Sequence, residues 1–160
     1  PRLLGDGMKL YAYRFSGYWK DVGTIESYYE AQMDLMRDNS GFNIFESDMR
    51  IFSNSNIYPP HFVGEKAVVS GSLICNGCVV EGEVAGSILG SGVVIEEGAV
   101  VRDSILLPHT RIGRGCRIVR TIVNEGVQIA EGSEIGNPEG EISVIGENSK
   151  YAVIEAAKER

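Results

Sequence analysis

Histidine is nearly missing from this chain: among 160 residues only His61 and His109 carry an imidazole. Chemistry that leans on a histidine base, or on a zinc site built from imidazoles, has little to work with here. Cysteine is scarce too. The thiols are Cys75, Cys78 and Cys116, and although the first two spell C-x-x-C, no second pair follows to complete a tetrahedral metal site. No apolar run approaches the ~20 residues that a membrane-spanning helix needs, and no charged, apolar and small-residue leader opens the chain, so the expectation is a cytoplasmic protein. Positive charge is in deficit: 15 Lys and Arg against 22 Asp and Glu leave a net charge of -7. That balance argues against nucleic acid or an anionic membrane as a partner. An initiator methionine is lacking as well, as expected of an excised fragment.

What the chain has instead is glycine, 20 of them, and a six-residue rhythm. Aliphatic residues stand at Ile57, Val63 and Val69, at Ile74 and Val80, at Leu89, Ile95 and Val101, at Leu106, Ile112 and Ile118, and at Val123, Ile129 and Ile135. Three hexads make a longer unit, since Ser87–Asp103, Ser104–Arg120 and Thr121–Asn137 align without gaps. Such a period marks a stacked solenoid in which each coil touches only its neighbours. Three positions after the aliphatic comes Gly77, Gly92, Gly98, Gly115, Gly126 or Gly132, as required where the chain turns a corner through a left-handed conformation. The next position is small or compact (Ala67, Cys78, Val93, Ala99, Thr110, Cys116, Val127, Ser133), and it is expected to face inward with the aliphatic. Cys78 and Cys116 then act as compact apolar fillers. The predicted fold is mainly β: a parallel β-helix, triangular in section.

The first fifty residues are of another kind. Met8–Phe15 alternates like a strand, Gly17 interrupts it, and Thr24 is placed to cap a helix through IESYYEAQMDLMRD with Glu26 in its first turn. The resulting division is 1–38, a strand and helix foreign to the repeat; 39–56, a linker; 57–146, the β-helix; and 147–160, a tail. ISVIG, near the end of the β-helix, adds one more strand. A lone strand bearing Leu3, Leu4, Tyr11, Tyr13 and Phe15 implies a sheet upstream. The helix side bearing Ile25, Tyr28, Tyr29, Met33 and Met36 is expected to lie against that same sheet.

The stretch GYWKDVGTIESYYEAQMDL resembles the closing segment of the sugar-nucleotide pyrophosphorylase catalytic domain. With the linker MRIFSNSNIYPPHF and the hexads SLICNGCVVEGEV and SILGSGVVIEEGAVVRDSIL, the chain to about Asn137 looks like the carboxy-terminal half of the glucose-1-phosphate adenylyltransferase family. That resemblance implies the left-handed form of the β-helix. It implies a parent reaction in which ATP and glucose 1-phosphate give ADP-glucose and pyrophosphate, as in glycogen biosynthesis, with Mg2+ held partly by the aspartate of the D-V-G motif, here Asp21. Trp19 would line the wall beside the nucleotide or serve as a buried anchor. The family's nucleotide loop, its other aspartate and its sugar-phosphate lysine segment are absent from these residues. The chain alone is therefore expected to be inactive, an assembly and regulatory part whose partners are its own upstream catalytic domain and further subunits, in a tetramer of one subunit type or of two. The GDP-mannose and dTDP-glucose pyrophosphorylases share W-K-D-V-G-T and stay open as alternatives.

Hexapeptide β-helices also build acyltransferases and γ-type carbonic anhydrases, both dependent on histidine. His61 precedes the repeat, and His109 occupies a corner column otherwise held by glycine, a place for an exposed turn. Among the arginines, Arg114 falls between Glu97 and Glu131 on neighbouring coils and Arg120 beside Asp103, which reads as exposed charge ladders. Arg111 and Arg117 face Val94 and Val100 in the preceding coil. Without an acidic partner in those columns, they are the candidates for an anion, an allosteric effector or a subunit contact.

Overall fold

The computed structural model describes residues 2–37, 40–41, 43–45 and 56–152. Each hexad forms a strand of two or three residues followed by a turn, and the strands stack into three parallel sheets of five. One face of the prism carries Phe62–Val63, Val79–Val80, Val94–Ile95, Arg111–Ile112 and Gln128–Ile129. The second carries Val68–Ser70, Glu83–Ala85, Val100–Arg102, Arg117–Val119 and Glu134–Ile135. The third carries Leu73–Ile74, Ile88–Leu89, Ile105–Leu106, Thr121–Val123 and Ser143–Ile145. The register is that of the sequence columns, Ile95 opposite Ile112 and Ile112 opposite Ile129, so aliphatics stack on aliphatics through the interior. The small column faces inward with them: Cys78, Val93, Ala99, Thr110, Cys116 and Val127 are all buried. Burial pushes the thiols of Cys78 and Cys116 up, and each Sγ donates to a backbone carbonyl, Gly90 and Ala130 respectively.

The corner glycines Gly77, Gly92, Gly98, Gly115, Gly126 and Gly132 take φ between 64° and 78°, the left-handed conformation expected of them. A second type of corner, before each strand of the third face, is held by hydroxyls. Ser87 Oγ accepts from the Ser104 amide and Ser104 Oγ from the Thr121 amide, both at 3.1 Å, while each hydroxyl donates to a carbonyl two residues back. These side chains are fully buried and fully bonded, and among the described residues no buried side-chain polar atom lacks a partner.

At its amino-terminal end the prism opens. Among the described residues no coil lies above Val63 and Val69, inward by column; they are 42% and 37% exposed, and Ile57 stands fully in solvent. The inward column therefore starts one coil later than the sequence pattern implies. Met8–Phe15 forms no strand either. A strand needs a neighbour to take its amides and carbonyls, and among the described residues none lies alongside; only a short helix, Arg2–Gly5, precedes it. Thr24 does cap a helix, Ile25–Asp34, through a capping box with Ser27, and Glu26 sits in its first turn. ISVIG supplies the last strand, and Ile129 bridges Ala152 beyond it. Most of the 39–56 linker, and the tail beyond Ala152, lie outside the described residues.

The helix does not wait for an upstream sheet. Tyr29 and Met33 pack on Ile105 and Ile122, the outward side chains of the third face, with Tyr28, Met36, Leu107 and Ile142 around them. Ile25 alone of the expected apolar set is left exposed. Tyr29 donates its hydroxyl to the Asp103 carbonyl at 2.7 Å, and the Arg120 guanidinium lies 5.4 Å above its ring. Burial, reinforced by the nearby Asp103 charge, pushes the Tyr29 phenol up and keeps it a donor. Arg120 is thus not in an exposed ladder with Asp103: it stacks on the helix and bonds the Gly140 carbonyl.

Candidate active-site edge

From Tyr18 to Asp21 the exposure alternates, as the chain presents successive side chains to opposite sides. Tyr18 and Lys20 turn toward the helix. The Tyr18 hydroxyl and Lys20 Nζ each reach Asp34 Oδ2 at 3.1 Å, Lys20 also reaches Glu30 Oε2 at 3.1 Å, and Arg37 Nη1 holds Asp34 Oδ1 at 2.9 Å. Desolvation works against both charges. The bonds to Lys20 and Tyr18 outweigh it at Asp34 and hold that carboxyl below its ordinary value, and the two carboxylates raise Lys20 above its own. For Tyr18, burial and then the Asp34 bond push the phenol up.

Trp19 and Asp21 point the other way, Trp19 with 77% of its surface in solvent, so it is not packed into the core of the described residues. Asp21 is exposed, and among the described residues no group of three or more His, Cys, Asp or Glu could hold a metal ion. An accessible carboxylate suits a hard cation such as Mg2+ as one ligand of several. It does not make a site alone. Val22 and Ile25 extend the exposed apolar surface beside it.

The other sequence candidates lie on the β-helix, away from this edge. Arg111 does have an acidic partner. It faces Val94 in register, yet Glu96, two residues further along the same strand direction, takes its Nε at 2.8 Å and its Nη2 as well. An arginine side chain is long enough to reach diagonally, which column counting overlooks. Arg102 pairs likewise with Glu83, and Arg114 with Glu97 at 3.4 Å as its column implies. Arg117 lies between Val100 and Glu134 with no ion pair among the described residues. His109 sits at a corner with φ 61°, where its Nε2 is 2.9 Å from the Tyr58 hydroxyl, and His61 is exposed. Among the described residues neither imidazole belongs to a group of three or more His, Cys, Asp or Glu that could hold a metal ion.

Sequence reasoning missed the docking face of the helix. The local pattern does not mark it: Ile88-Leu89, Ile105-Leu106 and Ile122-Val123 are paired aliphatics, but so are Val79-Val80, Val94-Ile95, Val68-Val69 and Val100-Val101 on the two faces that the helix does not cover.

No helix among the described residues is long and apolar enough to cross a membrane. Residues 1–38 match the nucleotidyl transferase family. Proteins called glucose-1-phosphate adenylyltransferase from Bacillus thuringiensis (strain Al Hakam) and Bacillus anthracis are each 48% identical over 135 residues, covering 84% of this chain and 36% of theirs. The chain thus spans about a third of the length of these curated relatives. Residues 59–149, more than half of the chain, match the family described as GlmU-like, C-terminal hexapeptide, a match that fits the left-handed form of the parallel β-helix; to that family the chain belongs.

Proposed function

We propose that this chain is the assembly and regulatory part of a glucose-1-phosphate adenylyltransferase, joined in the intact protein to the nucleotidyltransferase domain whose last segment it carries. The observation that supports this reading is that the helix directly following W-K-D-V-G-T is docked on the hexapeptide prism, within a chain similar over both parts to relatives of that name. The intact enzyme joins ATP to glucose 1-phosphate, the sugar phosphate attacking the α-phosphorus and pyrophosphate leaving. Bound Mg2+ would neutralise the charge on the phosphates. What this chain brings to the reaction is Asp21 as one oxygen ligand, presented outward with Trp19 beside it toward the nucleotide. Catalysis belongs to the intact, cytoplasmic oligomer, a tetramer of one or two subunit types, and the 160-residue chain by itself is silent.

A pyrophosphate-release assay tests this. The intact polypeptide should turn over ATP with glucose 1-phosphate, and the 160-residue chain should make no ADP-glucose. Asp21→Asn in the intact enzyme should lower turnover by about 100-fold or more, the scale lost with a single electrostatic stabiliser of an active site. Near-normal turnover in that variant would remove Asp21 from the site, and a preference for GTP or dTTP would move the protein to the GDP-mannose or dTDP-glucose type.

A further inference from the structure

The placement of Asp34 is odd for a helix. It is the last residue of Ile25–Asp34, where a carboxylate meets the negative end of the helix dipole, and no basic residue occupies that last turn to offset it. It also lies one turn from Glu30, a like-charged pair along one side of the helix. The local pair with exposed Arg37 offsets part of this cost but does not account for the burial of the acid. Its contacts do. Asp34 is largely buried, with 15% of its side chain exposed, and gathers Tyr18, Lys20 and Arg37, while Lys20 lies between Asp34 and Glu30 and cancels their repulsion. Two of these partners are the alternate residues on either side of Trp19, and the second directly precedes Asp21. With Tyr18 and Lys20 fixed on the helix, the intervening Trp19 and the following Asp21 have one direction left to take. The helix in turn is fixed to the β-helix by Tyr29 and Met33.

We infer that Asp34 is a positioning residue of the nucleotidyltransferase site, acting through Tyr18 and Lys20 to aim Asp21. The inference rests on the function proposed above. Asp34 touches neither nucleotide nor sugar; it sets where the Asp21 carboxylate stands, and partners that orient a metal ligand are worth roughly 10- to 100-fold in metal affinity or activity.

Two variants in the intact enzyme, Asp34→Asn and Lys20→Met, test it beside Asp21→Asn. The expected result is a rise of roughly 10- to 100-fold in the Mg2+ concentration needed for half-maximal turnover. The KM for glucose 1-phosphate should change little, and Lys20→Arg should restore most of the loss. A second readout needs no catalysis. The chain has one tryptophan, Trp19, and its fluorescence anisotropy should fall in both variants of the 160-residue chain, because the released segment reorients more freely. Unchanged Mg2+ dependence in Asp34→Asn and Lys20→Met, next to an inactive Asp21→Asn, overturns the positioning role and leaves the function standing. A fully active Asp21→Asn overturns both.

Discussion

Truncating Ile112 to alanine is the sharpest test of which way the columns face. Ile112 has no exposed surface and stands in its face with Ile95 stacked on one side and Ile129 on the other. Large-to-alanine changes in cores cost about 2 to 5 kcal/mol, the spread depending on how far the surroundings close in. Here they can close little. The backbone is tied to both neighbouring coils, Glu96 N to Ile112 O at 3.0 Å and Gly113 N to Ile129 O at 3.1 Å, so the coils cannot move together without breaking the ladder. The expected loss therefore lies in the upper half of that range. Glu97→Ala removes an exposed carboxylate paired with Arg114 at 3.4 Å and Lys66 at 3.8 Å, and should cost under about 1 kcal/mol. Val69→Ala, in the open end coil, should fall between. Chemical denaturation of the three variants gives the order directly, and equal losses for Ile112→Ala and Glu97→Ala would refute the assignment of faces.

Two further outcomes follow from the amino-terminal region. Because Asp34 is held below its ordinary 3.8 and Lys20 above its ordinary 10.5, their contribution is present above the unfolded carboxylate's range and lost as pH falls through the lowered value, and present below 10.5 and lost as pH rises through the raised one. The fluorescence anisotropy of Trp19 should therefore be flat from about pH 5 to 9 and fall outside it, and a transition inside that window would contradict the clamp. Leu3, Leu4, Met8, Leu10, Tyr11, Tyr13 and Phe15 are all exposed, as are Val63 and Val69 at the open end of the prism, and surfaces of this kind drive association. Light scattering should find the 160-residue chain self-associated. Loss of association in a chain trimmed to begin at Asn39 implicates the first segment, retention implicates the prism, and a monomer at high concentration in the untrimmed chain rules out both.

The prism was legible in the sequence because its rule is local: each hexad sends one aliphatic and one small residue inward, and the next coil repeats the same choice a fixed distance along the chain. The corner glycines follow for the same reason, and so does the Thr24 cap, which involves only residues within one turn. What local reading missed depends on a partner elsewhere. Met8–Phe15 has the alternation of a strand but no neighbouring edge among the described residues, and alternation without an edge does not make a strand. Arg111 looked unpaired because columns record residues directly opposite, while its guanidinium travels diagonally to Glu96. At the candidate site, the motif marks Asp21 and Trp19, yet nothing in the spacing ties Lys20 to Asp34. That bond exists only once the helix doubles back beside the segment that precedes it.

The exceptions to the corner rule locate the attachments between the repeat and everything else. Among the described residues only three non-glycines adopt positive φ: Asp103 at 46°, His109 at 61° and Arg120 at 48°. A side chain in that region costs about 1 to 2 kcal/mol, which glycine would avoid. Two of the three instead hold the helix that is not part of the repeat, and the third holds the residue that leads into the first coil. The Asp103 carbonyl receives the Tyr29 hydroxyl, Arg120 stacks on the Tyr29 ring, and His109 bonds Tyr58 as the chain enters the first coil. Two of the strained corners thus meet a single residue of the helix, on coils that lie next to one another. The prism by itself would be more relaxed with glycine at all three. Their strain is accounted for by what the corners hold, and at two of them that is the helix whose last residue orients Asp21.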